Sequence, residues 1–287
     1  MKYHASFERL SGLTPESTGI SPKGSPSAPI HALLFDVYGT LFISGSGDIG
    51  TAEKKAQKKT GLAALLHKYG LDLSPDRLVG VFGEEVRIRH EIMKKKGVDF
   101  PEIVIEAVWK KVLKWTDIEL VRQFAMDYEL AVNPAAPMPG LFAMLEKYRS
   151  MDAAMGIISN AQFFTPYLFR YFCGKFPPGL GINPDLTIYS YKFGYAKPSF
   201  VLFHAAETRL ATLEILPENT LYIGNDMLND IYPASACGFQ TALFAGDARS
   251  LRLRADNPDC LSHPPDMVIT ALDQIPEIKK ASQGLTA

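Results

Sequence analysis

Four regions far apart in the sequence carry side chains that could share one reaction: Asp36, Ser159, Lys197 and the polar stretch from Asn225 to Asp230. Each falls at or just after the end of an apolar run that reads as a strand, so a parallel sheet would gather them at one edge. A carboxylate at the end of a buried strand is costly if unpaired. Asp36 therefore needs a cation, a metal ion or hydrogen-bond donors. Lys197, together with a metal held by Asp226 or Asp230, would meet that need.

The elements that would position these groups follow from periodicity. His31 to Phe35 is a short apolar run that ends at Asp36, with Gly39 close behind, the pattern of a buried strand breaking into a tight turn. From Thr51 to about Ala131 the period becomes helical, as in Leu62, Leu65 and Leu66 or Ile103, Ala107 and Val108. Ser44 to Gly50 and Asn133 to Gly140 bound this stretch and read as crossings into and out of an inserted unit. Residues 51–132 are expected to form a helical cap, and 30–50 with 133–287 the core.

Past Gly140 helices and strands alternate. Helices are expected at Leu141–Arg149, Pro166–Phe172, Phe200–Thr208 and Ile231–Cys237. Strands are expected at Ala154–Ile158, near Leu186–Ser190, at Thr220–Ile223, at Gln240–Phe244 and near Met267–Ile269. Alternation of this kind predicts an α/β fold, a Rossmann-like, doubly wound parallel sheet with right-handed crossovers. Residues 1–29 are expected to be a flexible segment, and Ser21 to Pro29, rich in proline, serine and glycine, to hold neither helix nor strand.

Composition narrows the partners. Of 287 residues, 47% are hydrophobic and 21% charged, enough apolar material for a packed core. Thirty basic residues against thirty-one acidic ones give a net charge of -1, so no global field draws the chain to nucleic acid or an anionic membrane. A small anionic molecule is the expected ligand. Cys173, Cys237 and Cys260 match no zinc spacing and read as buried free thiols. With no signal-peptide-like stretch and no long apolar run, the expected location is cytoplasmic, as a monomer or homodimer.

Taken together, the motifs resemble those of the haloacid dehalogenase-like hydrolases. Phe35-Asp36-Val37-Tyr38-Gly39-Thr40-Leu41 is similar to the family's first motif, Ile158-Ser159-Asn160 to the second, Ala196-Lys197-Pro198 to the third and Gly224-Asn225-Asp226-Met227-Leu228-Asn229-Asp230 to the fourth. They occur in the family's order over about Ala32 to Ile269. The resemblance implies that Asp36 attacks the substrate to form an aspartyl ester. It also implies that Gly39 and Thr40 shape the turn, that Tyr38, Gly39, Thr40 and Asn160 line the substrate site, that Ser159 and Asn160 donate to substrate oxygens, and that Lys197 offsets charge around the nucleophile. In a metal-dependent member Mg²⁺ would touch Asp36, the Tyr38 carbonyl and the fourth motif, through Asn225, Asp226 or Asp230.

Two departures divide the implied chemistry. Phosphatases of this family place an acid two residues after the nucleophile, where this chain has Tyr38, a poor proton donor at neutral pH. That pattern is similar to 2-haloacid dehalogenases, in which halide leaves unprotonated and no metal is needed. The acidic fourth motif points the other way. With no other evident purpose for Asp226 and Asp230, the balance tips to a phosphate ester with Mg²⁺, with the metal-independent dehalogenase and a catalytically weak binding module as alternatives.

Plainer readings exist for each residue. Asp226 and Asp230 suit the cap of a helix beginning near Ile231, and Ser159-Asn160 suits a turn. In the cap, Arg87, Arg89 and His90 could grip an anion, but Glu84, Glu85 and Glu91 favour a solvated helix face. Lys54, Lys55, Lys58, Lys59 and Lys94 to Lys96 read as surface, and Trp109 and Trp115 as cap core.

Overall fold

The computed structural model describes residue 7 and residues 12–45 and 52–278, with backbone only for 52–58, so the side chains of Lys54, Lys55 and Lys58 lie outside it. Its strands, in chain order, are β1 (Lys23–Gly24), β2 (Ala32–Phe35), β3 (Phe42–Ser44), β4 (Ala135–Pro137), β5 (Ala154–Ser159), β6 (Ile182–Tyr189), β7 (Thr220–Gly224), β8 (Gln240–Phe244) and β9 (Met267–Ile269). One sheet runs β1-β9-β8-β7-β2-β5-β6, parallel except for β1. β2, β7 and β8 are buried at every position, as expected of strands covered on both faces.

β2 sits in the middle, paired with β5 on one side and β7 on the other, Phe35 facing Ile157 and Ile223. After β6 the chain crosses back over β2 to continue at β7. The sheet therefore reverses its winding beside β2, and in open α/β sheets such a switch point is where ligands bind, beyond the carboxyl ends of the strands. Asp36 follows β2 directly. The fold is α/β with a mostly parallel sheet, as the alternation of elements predicted.

The lead-in differs from expectation. Lys23 and Gly24 pair antiparallel with Val268 and Met267, so Ser21 to Pro29 does contain a strand. Gly24 makes the contact possible, since a side chain there would stand 2.2 Å from the Asp266 carbonyl oxygen. The described residues before β2 are also tied down: Glu16 N donates to Asp247 Oδ1 at 3.0 Å, Thr18 Oγ1 to the Ala245 carbonyl at 2.9 Å and Ser27 N to Gln240 Oε1 at 2.7 Å. Polar side chains of the core thus hold a segment whose composition alone gives it no structure.

Between β3 and β4 come α1 (Ala52–Lys68), α2 (Pro75–Lys95), α3 (Ile105–Leu113) and α4 (Ile118–Val132). β3 and β4 form an antiparallel pair at the base, reinforced by Ser44 Oγ donating to Asn133 Oδ1 at 2.8 Å. Local signals set the helix ends. Ser74 caps α2 with Pro75 at its first position, Asp117 accepts from the backbone of Glu119 and Leu120 at the start of α4, and Lys114 turns left-handed to end α3. Trp109 is fully buried, stacked on Phe82 at 4.5 Å and edge-on to Phe124 at 4.9 Å. Trp115 packs on Phe124 at 5.6 Å. Both tryptophans belong to the cap's own core.

The segment between α2 and α3 docks the cap on the sheet. Glu102 N donates to the Gly194 carbonyl and Ala196 N to the Phe100 carbonyl, 3.1 and 2.7 Å, just ahead of Lys197. Gln162, after β5, donates to the Ile103 carbonyl at 2.8 Å and accepts from Ile105 N at 3.1 Å. Among the described residues no helix is long and apolar enough to cross a membrane. The three cysteines are free, Cys260 buried but Cys173 and Cys237 only half-buried.

Candidate active site

Strand β2 delivers Asp36 to the switch point, where its N–H continues the sheet ladder to the Ile223 carbonyl at 2.9 Å. The carboxylate is 5% exposed. Lys197 Nζ lies 2.6 Å from Asp36 Oδ1 and 2.5 Å from Asp230 Oδ1, itself buried. The segment after β6 thus inserts one ammonium between carboxylates from β2 and from the turn after β7.

This arrangement explains the electrostatics. Burial is the largest influence on Asp230, opposed by Lys197 and reinforced by Asp36, and it carries the Asp230 pKa up to about 6. For Lys197, burial works against the charge, but Asp230 and Asp36 outweigh it, and the pKa lies above the ordinary lysine value.

The turn after Asp36 is tight. Gly39 has φ +87, its N–H reaches the Phe42 carbonyl at 2.7 Å, and a side chain there would stand 2.6 Å from Ser250 Cβ and 2.8 Å from the Asn225 amide. Only glycine combines that conformation with that approach. Thr40 donates to Asn225 Oδ1 at 3.2 Å, and Asn225 Nδ2 donates to the Ser250 carbonyl at 2.6 Å. Thr40 and Asn225 therefore join the turn after Asp36 to the loop after β7.

Asn160 also has a different partner from the one expected. Its Oδ1 accepts from Lys197 N at 2.7 Å and its Nδ2 donates to the Lys197 carbonyl at 3.4 Å, so it clamps the lysine's backbone. Ser159 is the opposite case: its Oγ is buried and has no hydrogen-bond partner. A hydroxyl left unpaired at the end of the strand next to β2 is suited to a ligand oxygen. Tyr38 turns its hydroxyl to Thr165 Oγ1 at 3.0 Å, and burial, then Glu129, raise its pKa well above the ordinary tyrosine value. It is no proton donor for a leaving group.

The fourth motif divides in two. Asp226 caps the π-helical turn Met227–Ile231, accepting from Leu228 N at 2.9 Å, and forms a two-point ion pair with Arg254. Asp230 alone faces Lys197. Of the groups expected around Mg²⁺, Asp36, the Tyr38 carbonyl, Asn225, Asp226 and Asp230, the side chains have protein partners here: Asp226 pairs with Arg254, Asn225 bonds the Ser250 carbonyl, and Asp36 and Asp230 share Lys197. Among the described residues no three His, Cys, Asp or Glu side chains converge as a metal site. Mg²⁺ binds through one or two carboxylates with water completing its octahedron, and Asp36 is the carboxylate here that keeps an oxygen outside the described hydrogen bonds.

Tyr222 is absent from the residues singled out by sequence, yet its hydroxyl touches the lysine pair. The signal available was a tyrosine inside an otherwise apolar strand, whose hydroxyl needs a partner. The basic residues of α2 do not approach the site: Arg87 pairs with Glu84 and Glu91, and Arg89 with Glu85 and the Ala107 carbonyl. The solvated-face reading of Arg87 stands. A cleft of about 480 Å³ between α2 and Tyr191, lined by Ile88, Ile92, Met93 and Ile103, does not have Asp36 on its wall.

The fold has relatives among solved structures. A 2-haloacid dehalogenase from Pseudomonas syringae pv. Tomato DC3000 superposes with a TM-score of 0.52 at 19% identity, over 85% of this chain and 96% of that one. The chain has the haloacid dehalogenase-like fold. A HAD phosphatase from Thermococcus onnurineus superposes with a TM-score of 0.50 at 18% identity, over 85% of this chain and 95% of that one. No family model and no curated protein matches the sequence. The haloacid dehalogenase-like fold accounts for the mostly parallel sheet and for the helices set between β3 and β4.

Proposed function

We propose that this protein is a hydrolase that acts on a small anionic molecule through an ester of Asp36, with neither a metal ion nor a general acid for the leaving group. The observation that carries the proposal is the division of the acidic loop. Asp226 and Asp230, whose acidic pairing in the sequence suggests a metal, both have other partners, one capping the turn Met227–Ile231 and pairing with Arg254, the other holding Lys197. With Tyr38 turned to Thr165, the residues suit a leaving group that departs from carbon as a stable anion. A 2-haloacid is such a substrate.

In the first step an Asp36 oxygen attacks the carbon bearing the halogen, forming a C–O bond as the carbon–halogen bond breaks and halide leaves with the electron pair. In the second, water attacks the Asp36 carboxyl carbon. The bond from that carbon to the ester oxygen, originally an oxygen of Asp36, breaks; this oxygen leaves on the hydroxyacid and takes up the proton that Asp230 drew from the water, while the water's oxygen completes the Asp36 carboxylate and its second proton passes to solvent. Lys197, 2.6 Å from Asp36 Oδ1, is placed to stabilise the oxyanion that forms there. Asp230 suits the proton released by water, and Ser159 Oγ the substrate's carboxylate. The site is closed over Asp36, so substrate entry requires the cap to move.

The test is halide release from 2-chloropropionate in the presence of EDTA, with Asp36→Asn as control. Release that is lost in the variant supports the proposal. Mg²⁺-dependent hydrolysis of p-nitrophenyl phosphate without halide release would overturn it in favour of phosphate chemistry. Turnover in neither assay, with thermal stabilisation by 2-chloropropionate, would leave a binding module.

A further inference from the structure

We infer that Tyr222 is a positioning residue for the reaction, locking the Lys197 ammonium so that it grips one oxygen of Asp36 and leaves the other to attack. The inference rests on the proposed aspartyl-ester chemistry. Tyr222 lies on β7, fully buried, two residues before Gly224. Its hydroxyl is 3.2 Å from Lys197 Nζ, 2.9 Å from Asp230 Oδ1 and 3.0 Å from the Ile158 carbonyl.

A proton count makes these contacts specific. An ammonium has three protons and a phenol one. Lys197 spends two on Asp36 Oδ1 and Asp230 Oδ1. The third has two acceptors in reach, the Tyr222 oxygen at 3.2 Å and the Ile158 carbonyl at 3.4 Å. Tyr222 accepts the nearer bond and gives its own proton to Asp230 or to Ile158. Each of the ammonium's directions is then occupied, and rotation about the last bond of the lysine would break all three contacts.

The consequence falls on Asp36. Its Oδ1 is the oxygen bound to Lys197, and no described hydrogen bond ends on Oδ2. A fixed ammonium distinguishes the two: Oδ2 is the attacking atom, and Oδ1 is where negative charge collects when the ester is hydrolysed. Phe203, edge-on to the Tyr222 ring at 5.3 Å, holds the ring without reaching the lysine. The same hydroxyl joins β7 to the β5 carbonyl at Ile158, so it ties together strands on either side of the nucleophile's strand.

The experiment compares wild type, Tyr222→Phe and Phe203→Leu by two readouts. The first is proton exchange of the Lys197 ammonium by ¹⁵N NMR, assigned with Lys197→Met, which needs no turnover. Tyr222→Phe is expected to speed this exchange at least tenfold with the thermal midpoint little changed, whereas Phe203→Leu is expected to leave the exchange near wild type. The second is halide release, in which Tyr222→Phe should lower kcat about ten- to a hundredfold with KM within twofold, the loss expected when a reacting group is misplaced. Unchanged exchange, or unchanged kcat in an active enzyme, would overturn the inference. Faster exchange in a protein that releases no halide even as wild type would instead refute the proposed reaction and leave the lysine clamp standing.

Discussion

Asp226 and Arg254 face each other through two hydrogen bonds, Nη2 to Oδ2 at 2.8 Å and Nε to Oδ1 at 3.1 Å. The pair commits Asp226 to Arg254 and leaves Asp230 as the acid of that loop that meets Lys197. It also predicts a phenotype. Asp226→Ala should lose the helix cap and destabilise the protein by about 1–2 kcal/mol in urea titration, while Lys197 and Asp36 keep their contacts and EDTA-resistant halide release persists. An abolished activity with unchanged stability would show that Asp226 meets the reactants.

Lys197 carries the opposite expectation. It is the cation between two buried carboxylates, and Lys197→Met leaves both without it. Breaking a buried pair from one side costs about 3–5 kcal/mol, so urea denaturation should show a loss of that order together with loss of turnover. The double variant Lys197→Met with Asp230→Asn removes one of the stranded charges and should recover part of the stability without recovering activity. Failure to recover would mean that the two sites are energetically independent.

Gly39 gives a backbone prediction. Gly39→Ala requires a left-handed residue whose Cβ collides with Ser250 and the Asn225 amide. A loss of more than about 1 kcal/mol is expected, and because Asn225 anchors Thr40, kcat should fall as well. Native stability in this variant would mean that the turn can relax, which the close Asn225 contact argues against.

These cases show what was legible in the sequence. Ala32–Phe35 is apolar at every position, and Leu221–Ile223 and Ala242–Phe244 form the apolar parts of two further strands, because both faces of a parallel strand are covered, and that signature is visible without a structure. β3 and β4 leave none, being three residues each, with partners such as Ile43 and Ala136 far apart in sequence. β1 is held through its backbone, which composition does not encode. The four motif positions were legible because strand ends set them, and so was the pairing of Lys197 with Asp36, because a buried carboxylate needs a cation; the partners of Asn160, Asn225 and Asp226 were not. Nothing in Gly224-Asn225-Asp226 tells which acid turns inward, since that depends on Arg254, a residue beyond β8. The amide of Asn160, likewise, is recognisable as a donor but not as a clamp on the backbone of Lys197.

Asp230 sets a pH dependence. Its carboxyl is carried up to about 6, above the ordinary 3.8, so between those values the folded protein binds more protons than the unfolded chain. Stability from this group therefore falls as pH rises from about 4 to about 6, and is constant above. Turnover should move the opposite way if ionised Asp230 takes the water's proton, with an acid limb in kcat near pH 6. Asp230→Asn should remove both trends, as followed by thermal midpoints and initial rates from pH 4 to 8. An acid limb that persists in the variant would assign it to another group.

Gln162 links the cap to the strand end that bears Ser159. It donates to the Ile103 carbonyl at 2.8 Å and to Glu102 Oε1 at 3.2 Å, and it accepts from Ile105 N at 3.1 Å. Glu102 in turn accepts from Ser190 Oγ at 2.6 Å, and burial raises its pKa. Gln162→Ala deprives one short segment of three partners while touching no reacting group. Leaving a buried N–H unpaired costs about 1–3 kcal/mol, so the Ile105 amide should exchange with deuterium roughly tenfold faster or more, at a rate of about a decade per 1.4 kcal/mol. If this latch governs opening, the rate of substrate entry should rise with it while the rate of ester hydrolysis stays the same. Faster exchange at Ile105 without faster entry would place the restraint on cap opening elsewhere, at the β3–β4 base where Ser44 meets Asn133.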